Sequence, residues 1–276
     1  MKRGLLNWRA WLVNGLLWAA ALLAIAPLLW MLAVSLMHTG EASNYPPPLL
    51  PASPSLARYG ELFRNGGFGR AFLVSLGLAT TSTLASTLLN ALAGYGFAKL
   101  QFGGRDRLFA LLLGALVIPG QVGMLPLFLM LKQAGLVNTW AGVLVPSLAS
   151  IFGVFLVRQY ASGLPGELIE AARIDGAGEW RIFRVIVLPL LTPVLVTLAV
   201  LSFLGSWNDF MWPLIVLTDG RLYTLPVALA ALSREHVQDV ELMMAGAVVT
   251  VLPVLVLFVA LQRYYLQGLL MGGVKQ

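Results

Sequence analysis

Charged residues along this chain are separated by long apolar runs. Six intervals, bounded by Arg9 and His38, Arg70 and Lys99, Arg107 and Lys132, Lys132 and Arg158, Arg184 and Asp209, and Glu241 and Arg263, contain no charge. Each holds about 20 to 28 residues, which is what a helix needs to cross the hydrocarbon of a bilayer. Because an ionised side chain is costly there, the pattern predicts spans at approximately 12–37, 71–98, 108–131, 138–157, 185–206 and 243–262. The uncharged stretch from Ala42 to Ala57 differs, since the prolines of "NYPPPLLPASPS" exclude a regular helix and make it a loop. The "ARYGELF" that follows predicts a short interfacial helix with Tyr59, Leu62 and Phe63 on one side.

Composition strengthens this picture. The chain is 59% hydrophobic and 11% charged, with a mean hydropathy of +0.84, more apolar surface than a globule of its length could bury. The expected fold class is an all-α integral membrane protein with six transmembrane helices, organised as one transmembrane domain over residues 1–276. Assigning loops alternately to two sides puts 12 of the 18 basic residues with five of the 12 acidic ones on one side, leaving six basic against seven acidic on the other. By the positive-inside rule both termini face the cytoplasm. The net charge of +6 is thereby topological and gives no sign of nucleic-acid binding. Lys2 and Arg3 followed by an apolar run and Ala24-Ile25-Ala26 imitate a secretory signal, but the run continues to Leu36 and reads as an uncleaved first span.

The residue inventory argues against an enzyme. With no cysteine, disulfides, thiolate chemistry and cysteine-ligated metals are excluded. His38 and His236, the two histidines, are expected on the outer side without metal-ligand spacing. "NGGFGR" and "GAG" lack both a preceding strand and the Gly-Lys-Ser or Gly-Lys-Thr of a phosphate loop. No catalytic residue, metal or cofactor is therefore expected. The small residues Gly77, Ala79, Ser82, Ala85, Ser86 and Ala93 of the second span permit close helix packing. Pro119, Gly120, Gly123 and Pro126 interrupt the third span, as Pro189 and Pro193 do the fifth. Freed backbone groups must meet protein or a water-filled cavity, so kinks along a translocation path and plain packing kinks both fit. Pro119, Pro126, Pro189 and Pro193, with the neutral polar Asn90 and Gln121, form the candidate path. An ion-coupled carrier would be expected to keep an ionisable residue within its spans, and these spans offer none. After the fifth span, "GSWNDFMWPLIVLTDG" is too short to cross, and Trp207 and Trp212 are expected at the outer interface.

One cytoplasmic segment is unusually charged: "EAARIDGAGEWRIF", from Glu170 to Phe183. Pro165 pre-sets a first helical turn, Glu167 and Glu170 favour its N-terminal end, and Leu168, Ala171, Ala172 and Asp175 share one face before the turn "DGAG". At about 14 Å such a helix is too short to stand alone in water and needs a surface to dock on. Composition alone would equally allow a solvated loop. The order of residues is more specific. Glu170-Ala171-Ala172, Asp175-Gly176-Ala177, Phe183 and Pro189 resemble, at matching spacing, the EAA loop (165–183 here) of permease subunits of ATP-binding-cassette (ABC) importers. "NALAGYGFAKLQFGGRDRLF", "LPLFLMLKQAGLVNTWAGVLVP", "SWNDFMWPLIVLTD", "YTLPVALA" and "GLLMGGVKQ" extend the resemblance over most of the chain, to the carbohydrate-uptake branch and subunits similar to the smaller (G-type) maltose permease subunit. Gln276 departs from the pattern, since relatives often end in glycine.

The resemblance implies a multi-pass protein of the bacterial inner membrane, surrounded by lipid and without an ATP site of its own. It implies as partners a cytoplasmic ABC ATPase dimer, a second permease subunit that completes the pore, and an extracytoplasmic solute-binding protein. Glu170, Ala171, Ala172, Asp175, Gly176, Ala177 and Phe183 would form the coupling surface for the ATPase, with Gly176 as its pivot. The segment from Trp207, Asn208 and Asp209 to Glu241 would face the binding protein, and the tail Gly272–Gln276 would reach the ATPases. Maltose-like oligosaccharides, monosaccharides, polyols and glycerol phosphate all remain open as substrates. A secondary carrier and a membrane assembly subunit without a pore remain as alternative functions.

Overall fold

A computed structural model describes residues 2–64, 67–235 and 239–273, and among them the chain is helical throughout, with no strand. His236 and the tail residues Val274, Lys275 and Gln276 lie outside the described residues. Four stretches are long and apolar enough to cross a membrane: Ala10–Ser35, Phe68–Lys99, Trp140–Ser162, which is α-helical at Trp140–Leu144 and Ile151–Ser162 with a 3₁₀ turn between, and Val240–Ala260. Two further pairs qualify only as bent spans, Arg105–Ala115 with Gly120–Gln133 at 96° and Glu179–Leu190 with Thr192–Trp207 at 78°. The third and fifth sequence intervals thus correspond to broken helices rather than straight rods. At the first break Pro119 is extended and Gly120–Gly123 tightens into a 3₁₀ turn. At the second, Pro189 and Pro193 cannot donate backbone hydrogen bonds and crowd the preceding turn.

The described residues divide into two compact units. The first takes the chain up to Gly69 together with Ala228–Pro253. It includes helix α1 (Lys2–Ser35), the irregular proline-rich loop, and α2 (Ala57–Arg64), where the short helix expected after that loop forms and buries Leu62. Arg58 ties α2 down through Glu61, Asp239 and Thr39. The buried Glu241 accepts a hydrogen bond from the Ala42 amide at 2.8 Å. Ser35 and Tyr59 join their hydroxyls at 2.8 Å.

The second unit contains Arg70–Val227 and the chain from Val254 on. In order, α3 (Phe68–Lys99) is followed by α4 (Arg105–Ala115), α5 (Met124–Gln133), α6 (Trp140–Leu144), α7 (Ile151–Ser162), α8 (Gly166–Ile174), α9 (Glu179–Ile182), α10 (Leu188–Leu190), α11 (Thr192–Trp207) and α12 (Met211–Val216). Helices α13 (Leu225–Glu235) and α14 (Val240–Gly273) complete the chain. One core cluster joins α3, α7, α8 and α9–α11 through Ala91, Tyr95, Val157, Ile169, Phe183 and Leu198. A second gathers Val74, Leu78, Leu131, Val143, Trp212 and Val216. Trp207 and Trp212, expected at a membrane interface, are buried in protein instead. Trp212 donates its indole N–H to the Gly142 carbonyl at 3.1 Å, and Trp207 packs on Phe72 and Phe203. An internal acceptor and aromatic neighbours supply what the headgroup region would otherwise offer.

Gly94 sets how closely α3 approaches α7. A Cβ there would lie 2.6 Å from Val157 Cβ and 2.9 Å from the Arg158 amide nitrogen, whereas a Cβ on Gly96 would meet nothing within 4 Å. Gly94→Ala is expected to destabilise the solubilised protein by about 1–3 kcal/mol, the usual range for overpacking. Gly96→Ala is expected to leave the thermal midpoint unchanged or raised. Thermal unfolding of both variants in detergent makes the comparison.

Candidate functional site

Pro165 is the N-cap of α8, extended at φ −57° and ψ 124°, with Glu167 in the first turn and Arg173 in the last complementing the helix dipole. Its length is nine residues, so packing must stabilise it. Ile169 is buried in the core and Ala172 packs half-buried beside it. The C-terminus closes in a Schellman turn: the Ala177 amide donates to the Ala172 carbonyl at 2.9 Å and the Gly176 amide to the Arg173 carbonyl at 3.0 Å. Gly176 has φ +79°, the left-handed conformation such a turn requires and one that favours glycine. Ala172 and Ala177 are thus the two hydrophobic partners of a helix cap.

A carboxylate reinforces this corner. Glu179, the first residue of α9, accepts a hydrogen bond from Arg173 Nε at 2.7 Å and another from the Tyr95 hydroxyl of α3 at 2.9 Å. The bond to Glu179 raises the pKa of the Arg173 guanidinium beyond its ordinary value, against a smaller opposing effect of desolvation. Below the carboxylate, the Tyr95 and Phe183 rings lie 5.5 Å apart, and Trp180 stacks on Phe183 at 5.8 Å. Phe183 opens a π-helical turn, Phe183–Val187, that leads into Pro189 and the 78° bend. On α3, Lys99 Nζ reaches the Leu164 carbonyl at 2.6 Å and fastens the approach to α8.

The opposite face of α8 is bare. Leu168, Glu170, Ala171, Asp175 and Gly176 are exposed, Ile174 is 86% exposed and the nearby Trp180 is 62% exposed. Four of the coupling residues expected from sequence, Glu170, Ala171, Asp175 and Gly176, therefore lie on an open surface. Ala172 and Ala177 turn towards the core, and Phe183 is buried within it. Sequence reasoning missed Ile169, Tyr95, Ile174 and Trp180. Ile169 and Ala172 have the i, i+3 spacing of one helical face, which was the available signal. Nothing local connects Tyr95 to Glu179.

The candidate path residues do not form one cluster. Asn90 is fully buried, donating to Ser86 Oγ at 2.9 Å and accepting from the Ser150 amide at 3.1 Å. Pro119, Gln121, Pro126, Pro189 and Pro193 are exposed at or beside the two bends. Of the segment expected to meet a binding protein, Trp207 is 1% exposed, Asn208 is exposed and Asp209 is partly buried. Loss of hydration pushes the Asp209 carboxyl pKa up, against weaker lowering by the amides of Trp212 and Met211.

Residues 4–270 match the family described as binding-protein-dependent transport system inner membrane component. The chain belongs to this family. Among curated relatives of this inner membrane component, the arabinooligosaccharides transport system permease protein AraQ of Halalkalibacterium halodurans is 38% identical, with all of both chains covered. The melibiose/raffinose/stachyose import permease protein MelC of Bacillus subtilis is 36% identical over 93% of this chain and 94% of its own length. A chain from the crystal structure of a bacterial ABC transporter involved in the import of the acidic polysaccharide alginate shares the fold, with a TM-score of 0.82 over 92% of this chain and 95% of that one at 21% identity.

The Glu179 contacts make a stability prediction specific to α8. Tyr95→Phe removes one charge-assisted hydrogen bond and no packing. Hydrogen exchange across residues 166–176 is expected to accelerate about tenfold, equivalent to about 1.4 kcal/mol, while exchange in α7 stays unchanged. Mass-spectrometric exchange on the assembled protein reads both segments together.

Proposed function

We propose that this chain is a permease subunit of an ABC importer for sugars, and that α8 is the helix on which a cytoplasmic ATPase docks. The observation that carries the reading is the two-sidedness of α8. Its inner face is clamped to the transmembrane core, and its outer face presents Leu168, Ala171 and Ile174 beside the bare backbone of Gly176. A short helix so arranged can receive a partner's movement and pass it on. The relatives named for arabinooligosaccharide and melibiose transport support a sugar as the cargo.

In this reading each bent pair counts as one span, giving six, with both termini and the 165–183 segment in the cytoplasm of a bacterium and residues 1–276 forming one permease domain in its inner membrane. The second permease subunit faces the exposed bends at Pro119, Gln121 and Pro126 and at Pro189 and Pro193, and together the two subunits enclose the path. Asn90 supports that path from within. An extracytoplasmic binding protein delivers substrate to the side that bears Asn208 and Asp209. Closure of the ATPase pair on ATP favours one of two orientations of the cavity, a population shift driven by a ligand that prefers one state. ATP hydrolysis belongs to the partner chain.

Gly176→Arg tests the docking role. Insertion and assembly are expected to persist, while sugar uptake and sugar-stimulated ATP hydrolysis fall together by about tenfold or more, the equivalent of about 1.4 kcal/mol of coupling. Gly176→Asn, which tolerates the left-handed conformation, separates strain in the turn from obstruction of the docking surface. Normal uptake by an assembled Gly176→Arg transporter would reject docking at α8. Uptake that survives ATP depletion with the ion gradient intact would instead favour a secondary carrier.

A further inference from the structure

Within the second unit, α3, the α6–α7 segment, α11 and α12 surround a cavity of about 360 Å³. That is at the lower end of small-molecule sites, about 300–1,000 Å³, and suits a single sugar ring better than a chain of rings. Seven serines line it, drawn from three of these segments. Ser82 and Ser86, assigned to close packing from the sequence, are both buried, at 3% exposure, and also line this cavity.

Three of these hydroxyls are fixed in one direction. Ser75 Oγ accepts from the Leu225 amide at 2.7 Å, Ser86 Oγ from Asn90 Nδ2 at 2.9 Å, and Ser150 Oγ from the Gly153 amide at 2.8 Å. Each oxygen is held by an N–H donor, and its own hydrogen remains available to donate, since a hydroxyl is both donor and acceptor. Thr224, 4% exposed and also lining the cavity, has a buried hydroxyl without any hydrogen-bond partner. A buried hydroxyl left unpaired is costly, and a ligand hydroxyl would satisfy it. Asp209 brings the one carboxylate of the lining, and Phe152 adds an aromatic ring.

We propose that this cavity is a binding site for a neutral, hydroxyl-rich ligand, a sugar ring, held between the donor hydroxyls of Ser75, Ser86 and Ser150 and the acceptor carboxylate of Asp209. The chemistry matches such a ring on both counts: its hydroxyls both donate and accept, and its C–H face packs on apolar and aromatic surface such as Leu198 and Phe152. A bare cation would find one carboxylate among hydroxyls already engaged with N–H donors. An anion would meet Asp209 and no basic residue in the lining. The proposal rests on the permease reading for the choice of a sugar. It gives this subunit a substrate contact of its own.

The test uses the assembled transporter carrying Ser206→Cys, a cavity position in a chain that has no other cysteine. N-ethylmaleimide modification of that thiol is followed by mass on this chain, with arabinose, galactose, glucose or melibiose present in turn, and with sodium chloride and glycerol 3-phosphate as separate additions. At least one sugar is expected to slow alkylation. Adding Asp209→Asn is expected to raise the sugar concentration needed by about tenfold, about 1.4 kcal/mol. Protection by no sugar, or by sodium or glycerol 3-phosphate alone, overturns the proposal whether or not uptake is observed. Uptake of each sugar by the unaltered assembly is measured in parallel. Uptake without protection refutes the cavity and spares the permease reading, whereas protection without uptake supports the cavity and faults that reading.

Discussion

The Glu179 carboxylate joins parts of the chain that sequence keeps apart. Tyr95 lies 84 positions away on α3 and Arg173 only six away on α8, and both donate to it. Neither bond is large alone, because an exposed ion pair contributes roughly 0–1 kcal/mol. Their importance lies in position. A nine-residue helix has little stability of its own, so burial of Ile169, the Schellman turn and these two bonds decide whether α8 forms an ordered surface. With Arg173 and Glu179 joined across it, Gly176 becomes a fixed corner. In the proposed coupling role, a displacement of α8 would pass to α9 and the π-helical turn, towards the bend before α11, instead of being absorbed at a hinge.

Charge spacing made the spans legible because hydrocarbon penalises every ionised group, a constraint that acts on each residue separately. Their geometry was less accessible. The breakers at Pro119, Pro126, Pro189 and Pro193 marked where helices had to be interrupted, but a bend angle depends on the packing partners of each half. Trp207 and Trp212 show the same limit from the other side. A membrane-interface statistic fits any amphipathic aromatic at a span's end, yet Trp212 satisfies its N–H on Gly142, 70 positions away, within the protein.

The loop at 165–183 was legible in a different way. Its helix, its turn and its glycine followed from local rules, since Pro165, Glu167, Arg173 and Gly176 act on backbone within a turn or two of themselves. Its faces were read less well. Leu168 and Ala171 look like an apolar stripe, but it is Ile169 that enters the core, and which stripe turns inward depends on where α3 and α7 lie. The hydroxyls of the cavity posed a similar problem: a small residue in an apolar helix serves close packing and polar lining equally well, and only the neighbouring elements distinguish the two.

The corner at Gly176 is rigid only if the Arg173–Glu179 contact joins α8 to α9 during the working cycle. The most direct measurement is sugar transported per ATP hydrolysed, compared among the reconstituted assembly, the two charge reversals Arg173→Glu and Glu179→Arg, and the double reversal. Each single reversal places like charges against one another and should lower the ratio, while the double reversal restores the opposite charges and should recover most of it. Single reversals that transport with an unchanged ratio, or a double reversal no better than either single one, would contradict a rigid coupling corner.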